Sequence, residues 1–351
     1  MGPAGKRRCG RNGTGNGIEK KGEQKSNNEE VVEMKNFENK DFALSEPEII
    51  GIDHGWSYMK TAKEVFASGV KEISTEPAFF DDVLEYKKKF YKIGTGRMEV
   101  KANKVESQDY YYLTLAAIAK ELKNRGKSEG PVVIAAGLPA SRYGDEKRAF
   151  QEYLGREEEI YFKYENLPYH LWIKKVYVYP QCYPAVVDRI ALFGPKVIVV
   201  DIGSWTIDVV PVIDRKPDDS GINSIPQGII TCMKKINKEC VRQFGEKIDE
   251  GEITSYILSK RSGLADCYLR IMEKEIRDFA SMVVGSLREE QYGLLTTPFV
   301  FVGGGAVLMK NFGDFRNYNF TYVTDVKANA RGYEALARLA ASKGGRRDEQ
   351  K

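Results

Sequence analysis

Two stretches of the chain share one pattern, in which a short run of β-branched residues ends at an acid and a glycine. The first is Ile49–Gly55 and the second is Val197–Gly203. A further apolar run follows each of them, at 59–62 and at 206–212. Short apolar runs bounded by glycine predict buried strands joined as hairpins. The two acids, Asp53 and Asp201, are about 150 residues apart, which favours duplicated domains over short repeats.

Helical spacing of apolar positions predicts the segments that follow each hairpin. Ser107 and Gly126 are predicted to bound one helix, which leads into a buried strand at 132–136. Later elements are predicted as helices at 227–245 and 264–287, a strand at 299–302 that runs into Gly303-Gly304-Gly305, and an Ala-rich helix at 328–342. This alternation predicts an α/β fold built from two related halves.

Composition narrows the class of protein. The chain has 351 residues, of which 42% are hydrophobic and 30% charged, and this is typical of a soluble globular protein of two domains. Its apolar runs are much shorter than the roughly 20 residues that a membrane span requires. The net charge is only +4, and many of the basic residues lie in the first 25 positions. Direct nucleic-acid binding by the folded part is therefore not expected.

The N-terminal segment differs from the rest of the chain. Residues 1–46 are rich in Gly, Asn, Lys and Glu and lack apolar periodicity, so we expect them to be disordered. Met34 lies in this segment and is a candidate for the native start. Five cysteines without a CxxC pair and only two histidines indicate neither a zinc site nor a disulfide framework, and they favour a reducing cytoplasm. No secretory signal is predicted.

The paired hairpins suggest a chemical use if the two halves face each other across a cleft. Glycine lets backbone N–H groups approach phosphate oxygens, and Lys60 supplies a positive charge. Asp53 and Asp201 would hold Mg²⁺ through water. Hydroxyl donors come from Ser57, Ser204 and Thr206. A plain tight turn explains each Asp-x-Gly taken alone, but the pair, together with the glycine cluster at 303–305, favours a nucleotide site.

Five blocks in order resemble the actin superfamily. These are the first phosphate motif at 49–60, the first connecting helix at 178–185, the second phosphate motif at 197–208, the adenosine motif at 299–308 and the second connecting helix at 325–334. The sequences Asp53-His-Gly-Trp-Ser-Tyr-Met-Lys60, Pro180-Gln-Cys-Tyr-Pro-Ala185 and Ala328-Asn-Ala-Arg-Gly332 most resemble the ParM/StbA group of plasmid-segregation actins.

The resemblance implies an actin-like, ribonuclease H-like pair of domains that flank a nucleotide cleft. The expected divisions are a tail at 1–46, domain I at 47–195 with an inserted subdomain at about 66–106, domain II at 196–326, and a C-terminal helix at 327–345 that returns to domain I. The nucleotide-binding residues are then expected to be Asp53, Gly55, Trp56, Ser57, Tyr58, Lys60, Gly203, Ser204, Trp205, Thr206, Gly228, Gly303, Gly304 and Gly305.

The implied activity is hydrolysis of ATP or GTP with Mg²⁺, coupled to filament assembly in the cytoplasm. The filaments would segregate plasmid DNA through a ParR-type adaptor bound to a centromere-like site, with no membrane involved. Gln181 and Asp201 are the expected catalytic residues. Members of the ParM/StbA group often carry Glu where this chain has Gln181, so hydrolysis is expected to rely on an oriented water rather than on a carboxylate base.

Several residues beside these motifs have simpler explanations. Trp56 and Trp205 could close the site against water or merely pack on the domain wall. His54 is not expected to be catalytic, because neighbouring residues of a strand point to opposite faces. Cys182 is expected to be a buried thiol rather than a nucleophile.

Other functions of the same fold class compete with the filament hypothesis. A small-molecule kinase would need a carboxylate placed to deprotonate a hydroxyl, and it would normally be longer. A nucleotide-binding scaffold with little turnover is compatible with Gln181. A chaperone of the 70-kilodalton type would need a peptide-binding domain, for which no residues remain after the last predicted helix.

Overall fold

The computed structural model describes residues 45–95, 98 and 104–348. The predictions of a disordered tail and of a native start at Met34 therefore lie almost wholly outside the described residues.

The first sheet has nine strands in the order β3-β2-β1-β7-β9-β8-β5-β6-β4. Its strands are β1 (Glu48–His54), β2 (Tyr58–Thr61), β3 (Val65–Ala67), β4 (Val70–Ile73), β5 (Val83–Tyr86), β6 (Lys89–Ile93), β7 (Glu129–Leu138), β8 (Glu159–Tyr164) and β9 (Leu167–Pro180). As the sequence predicts, β1 and β2 form an antiparallel hairpin. The other edge of β1 pairs in parallel with β7, so the hairpin is anchored inside the sheet.

The second sheet repeats this plan with six strands. Its strands are β10 (Lys196–Ile202), β11 (Ile207–Ile213), β12 (Lys216–Pro217), β13 (Asn223–Ile225), β14 (Phe299–Val302) and β15 (Phe320–Val323). The order is β12-β11-β10-β14-β15, with β13 paired to β11. β10 pairs antiparallel with β11 and in parallel with β14, which is the arrangement of β1 between β2 and β7. The duplication predicted from the two hairpins is present in the strand pairing.

Seven α-helices lie in the described part of the chain. They are α1 (Asp109–Asn124), α2 (Tyr143–Leu154), α3 (Ile229–Phe244), α4 (Glu250–Ser259), α5 (Asp266–Glu289), α6 (Gly303–Phe312) and α7 (Ala328–Asp348). The helices α1 and α2 contact the first sheet, whereas α6 contacts β10, β14 and β15. The last helix, α7, starts just after β15 yet packs on β1 and β7. No helix in the described residues is both long and apolar enough to cross a bilayer.

The segment that resembles the first connecting helix is not an α-helix. Strand β9 continues to Pro180, and only a 3₁₀ turn follows, at Tyr183–Val186. Cys182 between them has a φ of +74°, which an α-helix does not admit. Two prolines, at 180 and 184, also remove backbone donors from this segment. The prediction of a helix here was wrong, because local backbone constraints override the resemblance.

Each sheet has its own apolar core. The continuous run of β10, from Val197 to Val200, is buried on both faces, because Val197 and Val199 pack into one apolar cluster and Ile198 and Val200 into another. Helix α5 contributes Met272, Ile276 and Phe279, at helical spacing, to the apolar cluster that also contains residues of β10 and β14. Burial of each such side chain contributes about 1.5–3 kcal/mol to folding. These cores hold the ends of β1 and β10 rigidly.

Candidate functional site

The two hairpins have the same register but carry different residues opposite the acid. In the first hairpin Asp53 of β1 faces Lys60 of β2. In the second, Asp201 of β10 faces Asp208 of β11. Cross-strand neighbours interact directly, so the first acid meets a cation and the second meets another acid.

Asp53 is held by two hydrogen bonds. Its Oδ2 lies 3.0 Å from the Lys60 Nζ, and its Oδ1 accepts a hydrogen bond of 3.1 Å from the Gln181 Nε2. The residue is only 3% exposed. Burial alone raises the pKa of Asp53, but the charges of Lys60 and Lys104 outweigh burial and hold the pKa below its ordinary value. The Asp53 side chain is therefore an ionised, fully partnered carboxylate.

Asp201 has a different environment. Its Oδ2 accepts a hydrogen bond of 2.8 Å from the Asn329 Nδ2. Burial, followed by the charges of Asp53 and Asp208, raises the pKa of Asp201 to about 7, although Lys60 opposes the shift. The charges of Asp53 and Asp208 thus both reach Asp201, and Lys60 does not offset their effect together with that of burial.

The two hairpins meet at their loops. The Ser57 and Ser204 hydroxyl oxygens are 2.8 Å apart and share a hydrogen bond. Although burial lowers it, the charges of Asp53 and Asp201 together raise the pKa of Lys60. The ammonium group of Lys60 therefore lies in the field of both acids, and the two loops form the two sides of one cleft.

A cavity of about 430 Å³ lies between these loops. One end is polar and contains Ser57, Lys60, Asp201, Gly203, Ser204 and Gly304. The other end is formed by helices α3 and α4 and is mainly apolar, with Ile229, Ile230, Met233, Thr254, Ile257 and Leu258, although Gly251 and the acid Glu250 also line it. The rest of the lining consists of Trp56, Tyr58, Val65, Ala67, Ser68, Ile202 and Val326. A site with a charged end and an apolar end suits a ligand that joins an anionic group to a flat apolar one.

The three consecutive glycines form the start of helix α6 directly after β14. Gly303 has a φ of +72°, and a Cβ on it would lie 3.1 Å from the Asp201 Oδ1. A Cβ on Gly305 would lie 2.2 Å from the Ile202 Cβ. Gly304 has open space beside it and lines the cavity. Helix N-termini present unpaired N–H groups to anions, and the absence of side chains here leaves that end of α6 accessible.

Not every predicted residue lines the cavity. The Thr206 hydroxyl donates to Asp208, and the Trp205 ring lies under the Lys234 ammonium at 5.4 Å. Gly228 supports the second loop, because a Cβ there would lie 2.4 Å from the Ser204 backbone. A Cβ on Gly55 would likewise lie 2.4 Å from the Tyr58 carbonyl oxygen. These four residues do not line the cavity, and neither do Asp53, Gln181, Gly303 and Gly305. The predicted residues that line it are Trp56, Ser57, Tyr58, Lys60, Asp201, Gly203, Ser204 and Gly304.

The surroundings of His54 and Cys182 indicate structural rather than catalytic roles for both residues. The His54 Nε2 and the Thr114 hydroxyl are 2.8 Å apart, and burial together with the charge of Lys104 lowers the pKa of His54 to about 3. The Cys182 thiol is fully buried and contacts the Asp208 carbonyl oxygen. Burial, then the neighbouring acids, raises the pKa of this thiol.

Three residues of the site were not identified from the sequence. They are Asp208, Lys104 and Asn329. Asp208 accepts hydrogen bonds from Thr206 and Ser224, and its cross-strand position opposite Asp201 could have been deduced from the hairpin. Lys104 is buried behind Asp53, and burial lowers its pKa to about 8. No local pattern marks it. Asn329 lies in the Ala328–Gly332 block, and only its contact with Asp201 in the folded protein identifies it as a residue of the site.

The fit of a divalent cation can be judged from the donors present. No group of three or more His, Cys, Asp or Glu side chains in the described residues is arranged to hold a metal by itself. Magnesium, however, usually takes one or two carboxylates plus waters and substrate phosphates. Asp201 fits this use, because its carboxylate lies among other acids with little compensating charge. Asp53 fits it less well, because Lys60 and Gln181 already occupy its oxygens.

Comparison with known proteins identifies the architecture. Residues 51–183 match the family model described as the N-terminal domain of actin-like proteins. No curated protein sequence matches the chain.

Solved structures match over most of the chain at low identity. An archaeal actin homologue in complex with ADP has a TM-score of 0.68 and 17% identity, and the match covers 83% of this chain and 99% of that one. The actin-like protein Alp7A has a TM-score of 0.68 and 17% identity, with 86% and 99% covered. Bacillus thuringiensis ParM with AMPPNP has a TM-score of 0.63 and 13% identity, with 85% and 100% covered. The predicted α/β fold class and the resemblance to the actin-like superfamily are confirmed.

Proposed function

We propose, from the actin-like fold of this chain, that it binds a magnesium–nucleoside triphosphate between its two hairpins and hydrolyses it as it assembles into filaments. The observation that carries the proposal is the single cavity shared by Lys60 and Ser57 of one hairpin and Asp201 and Ser204 of the other. Two of the similar structures contain ADP and AMPPNP, which supports a nucleotide as the ligand.

The polar end of the cavity suits the phosphates. The Lys60 ammonium, the Ser57 and Ser204 hydroxyls and the open N-terminus of helix α6 together offer donors of several kinds to phosphate oxygens. The apolar wall from helices α3 and α4 suits the base. The predicted binding residues Gly55, Trp205, Thr206 and Gly228 would then act by shaping the loops, because they do not line the cavity.

Asp201, helped by Asp53, would hold Mg²⁺, and the ion would neutralise the phosphate oxygens during hydrolysis. In that reaction a water oxygen bonds to the γ-phosphorus while the bond to the β–γ bridging oxygen breaks. The electron pair of the broken bond stays with the diphosphate, and one proton leaves to solvent. Gln181 donates to Asp53 through its Nε2, which leaves its Oε1 as an acceptor that can orient the water.

Turnover by an oriented water, without a carboxylate base in direct contact, is expected to be slow in the monomer. We therefore expect assembly to accelerate it by closing the cleft, as conformational closure does in many hydrolases. Segregation of plasmid DNA through a ParR-type adaptor is the biological role that we propose for these filaments. ATP and GTP are both candidates for the substrate.

The test combines right-angle light scattering with phosphate release after addition of Mg-ATP or Mg-GTP to the full chain. Scattering that rises with nucleotide and falls as phosphate accumulates is the expected result. Scattering that stays flat while nucleotide binds would refute filament assembly. Filaments without phosphate release would indicate a scaffold, and phosphate release only in the presence of a sugar would indicate a kinase.

A further inference from the structure

The last helix brings two polar side chains to the back of the candidate site. Close backbone contacts fix the register of α7, because a Cβ on Gly51 would lie 2.0 Å from the Ala330 carbonyl oxygen and one on Gly332 would lie 1.9 Å from the Pro184 carbonyl oxygen. Asn329 and Tyr333 are four residues apart and therefore share one face of the helix. That face points towards the two acids.

Asn329 is a buried amide with one side engaged and the other unpartnered. It is 5% exposed, and its Nδ2 donates to Asp201. When Asp201 is ionised, as it would be while holding Mg²⁺, the opposite amide orientation would place an oxygen against a carboxylate, so charge then fixes the assignment of donor and acceptor. Its Oδ1 is buried and has no hydrogen-bond partner among the described residues.

Tyr333 presents a second unpartnered group in the same place. The residue is fully buried, and among the described residues its hydroxyl makes no hydrogen bond of normal length and angle, although the Gln181 side chain lies near enough to influence it. Gly137 makes room for this hydroxyl, since a Cβ there would lie 2.0 Å from it. Burial and then the charges of Asp53 and Asp201 raise the pKa of Tyr333, whereas Gln181 lowers it. The hydroxyl is thus neutral and lies within the field of both acids and of Gln181.

Buried polar atoms without partners are uncommon, since each costs about 1–3 kcal/mol of stability. Two of them four residues apart on one helix, one on a residue that contacts Asp201 and the other beside Gln181, point to a ligand with hydrogens and lone pairs. A water molecule satisfies such mixed donors and acceptors with two to four hydrogen bonds.

We propose that Asn329 and Tyr333 are positioning residues for nucleotide hydrolysis, and that they hold the water which Gln181 and Asp201 orient towards the γ-phosphate. Asn329 fixes the Asp201 carboxylate through Nδ2 and accepts from the water at Oδ1, while the Tyr333 hydroxyl supplies a donor. This inference rests on the proposed hydrolysis. It also implies that movement of α7 would affect hydrolysis, because a shift of this helix would displace both side chains.

Tyr179 offers a matched control for the test. Its ring is nearly parallel to that of Tyr333, with centroids 6.2 Å apart, and its hydroxyl is also buried without a partner among the described residues. The groups that raise the pKa of Tyr179, after burial, are Tyr177 and Tyr143 rather than the two acids. Tyr179→Phe and Tyr333→Phe therefore remove the same atom from the same aromatic stack, at different distances from the site.

The experiment measures nucleotide affinity, phosphate release at saturating Mg-ATP and thermal unfolding for wild type and both variants. Tyr333→Phe is expected to lower phosphate release about 10-fold or more, with affinity and Tm unchanged or Tm raised, whereas Tyr179→Phe stays within about 2-fold of wild type. Asn329→Ala is expected to lower phosphate release about 100-fold at unchanged affinity.

Equal phosphate release by wild type and Tyr333→Phe would overturn the inference and leave the proposed function intact. Equal losses in Tyr333→Phe and Tyr179→Phe would also overturn it, because they would indicate a structural role of the aromatic stack. Absence of hydrolysis in the wild type would instead refute the proposed function and the inference together.

Discussion

The two hairpins of this protein share topology and register, yet their acids are in opposite electrostatic states. Opposite Asp53 stands Lys60, and the pKa of Asp53 is lowered. Opposite Asp201 stands Asp208, and the pKa of Asp201 is raised to about 7. The residue at this cross-strand position, together with burial and more distant charges such as that of Lys104, gives the two acids opposite pKa shifts. The two halves therefore share one hairpin arrangement and differ in charge at the position opposite the acid.

The largest expected effect on turnover comes from removing the charge of Asp201. Asp201→Asn keeps the shape of the side chain, and we expect phosphate release to fall about 100- to 1000-fold because the acid proposed to hold Mg²⁺ is lost. Asp214→Asn is the control, since Asp214 is an exposed acid on the turn after β11 and does not line the cavity. The assay is phosphate release at saturating Mg-ATP. Unchanged turnover in Asp201→Asn would contradict the assigned role.

The next largest effect is a difference between Asp201 and Asp53 in how each contributes to the pH dependence of the free energy of unfolding. Because the pKa of Asp201 is raised, the folded state retains a proton that the unfolded chain releases, so the free energy of unfolding falls as pH rises from about 4 to about 7. Asp53 has the opposite sign: its lowered pKa gives stability that is present above about pH 4 and is lost as pH falls further.

Urea unfolding from pH 5 to 8, without magnesium or nucleotide, measures this difference. Relative to wild type, Asp201→Asn is expected to gain about 1–2 kcal/mol at the upper end of the range, since one pKa unit corresponds to about 1.4 kcal/mol and the carboxyl faces a solvated cavity. Asp214→Asn, at an exposed position on the turn after β11, serves as the control and should show no such pH-dependent gain. Parallel pH profiles for wild type and Asp201→Asn would show that the raised pKa is absent in solution.

The smallest effect concerns the two tryptophans beside the loops. Trp56 lines the cavity, whereas the Trp205 ring packs under Lys234. Nucleotide addition should therefore change the intrinsic fluorescence through Trp56, and the change should disappear in Trp56→Phe but persist in Trp205→Phe. The loss of affinity in Trp56→Ala is expected to be about 1 kcal/mol. An undiminished signal in Trp56→Phe would place the ring away from the ligand.

The sequence predicted helices and strands correctly where these elements depend on a local pattern of apolar residues and glycines. The strand at 299–302 is confirmed at both ends, and the hairpins, α3 and α5 are confirmed to within a few residues. Their apolar periodicity and bounding glycines act within a few residues, so they can be seen without tertiary contacts. The helix predicted at 178–185 was wrong, because the left-handed Cys182 and two prolines stop it.

The amino-acid sequence by itself determined the repeated acid–glycine hairpins, the α/β class and the resemblance to the actin-like superfamily. Only the tertiary structure decided which residues face the cleft, because that depends on contacts between segments that are far apart in sequence. The hydrogen bond from Asn329 to Asp201 joins residues 128 positions apart, and the contact between Ser57 and Ser204 spans 147. Contacts between residues so far apart in the sequence leave no periodic pattern from which they could be predicted. The unequal charge of the two acids likewise arises from burial and long-range neighbours.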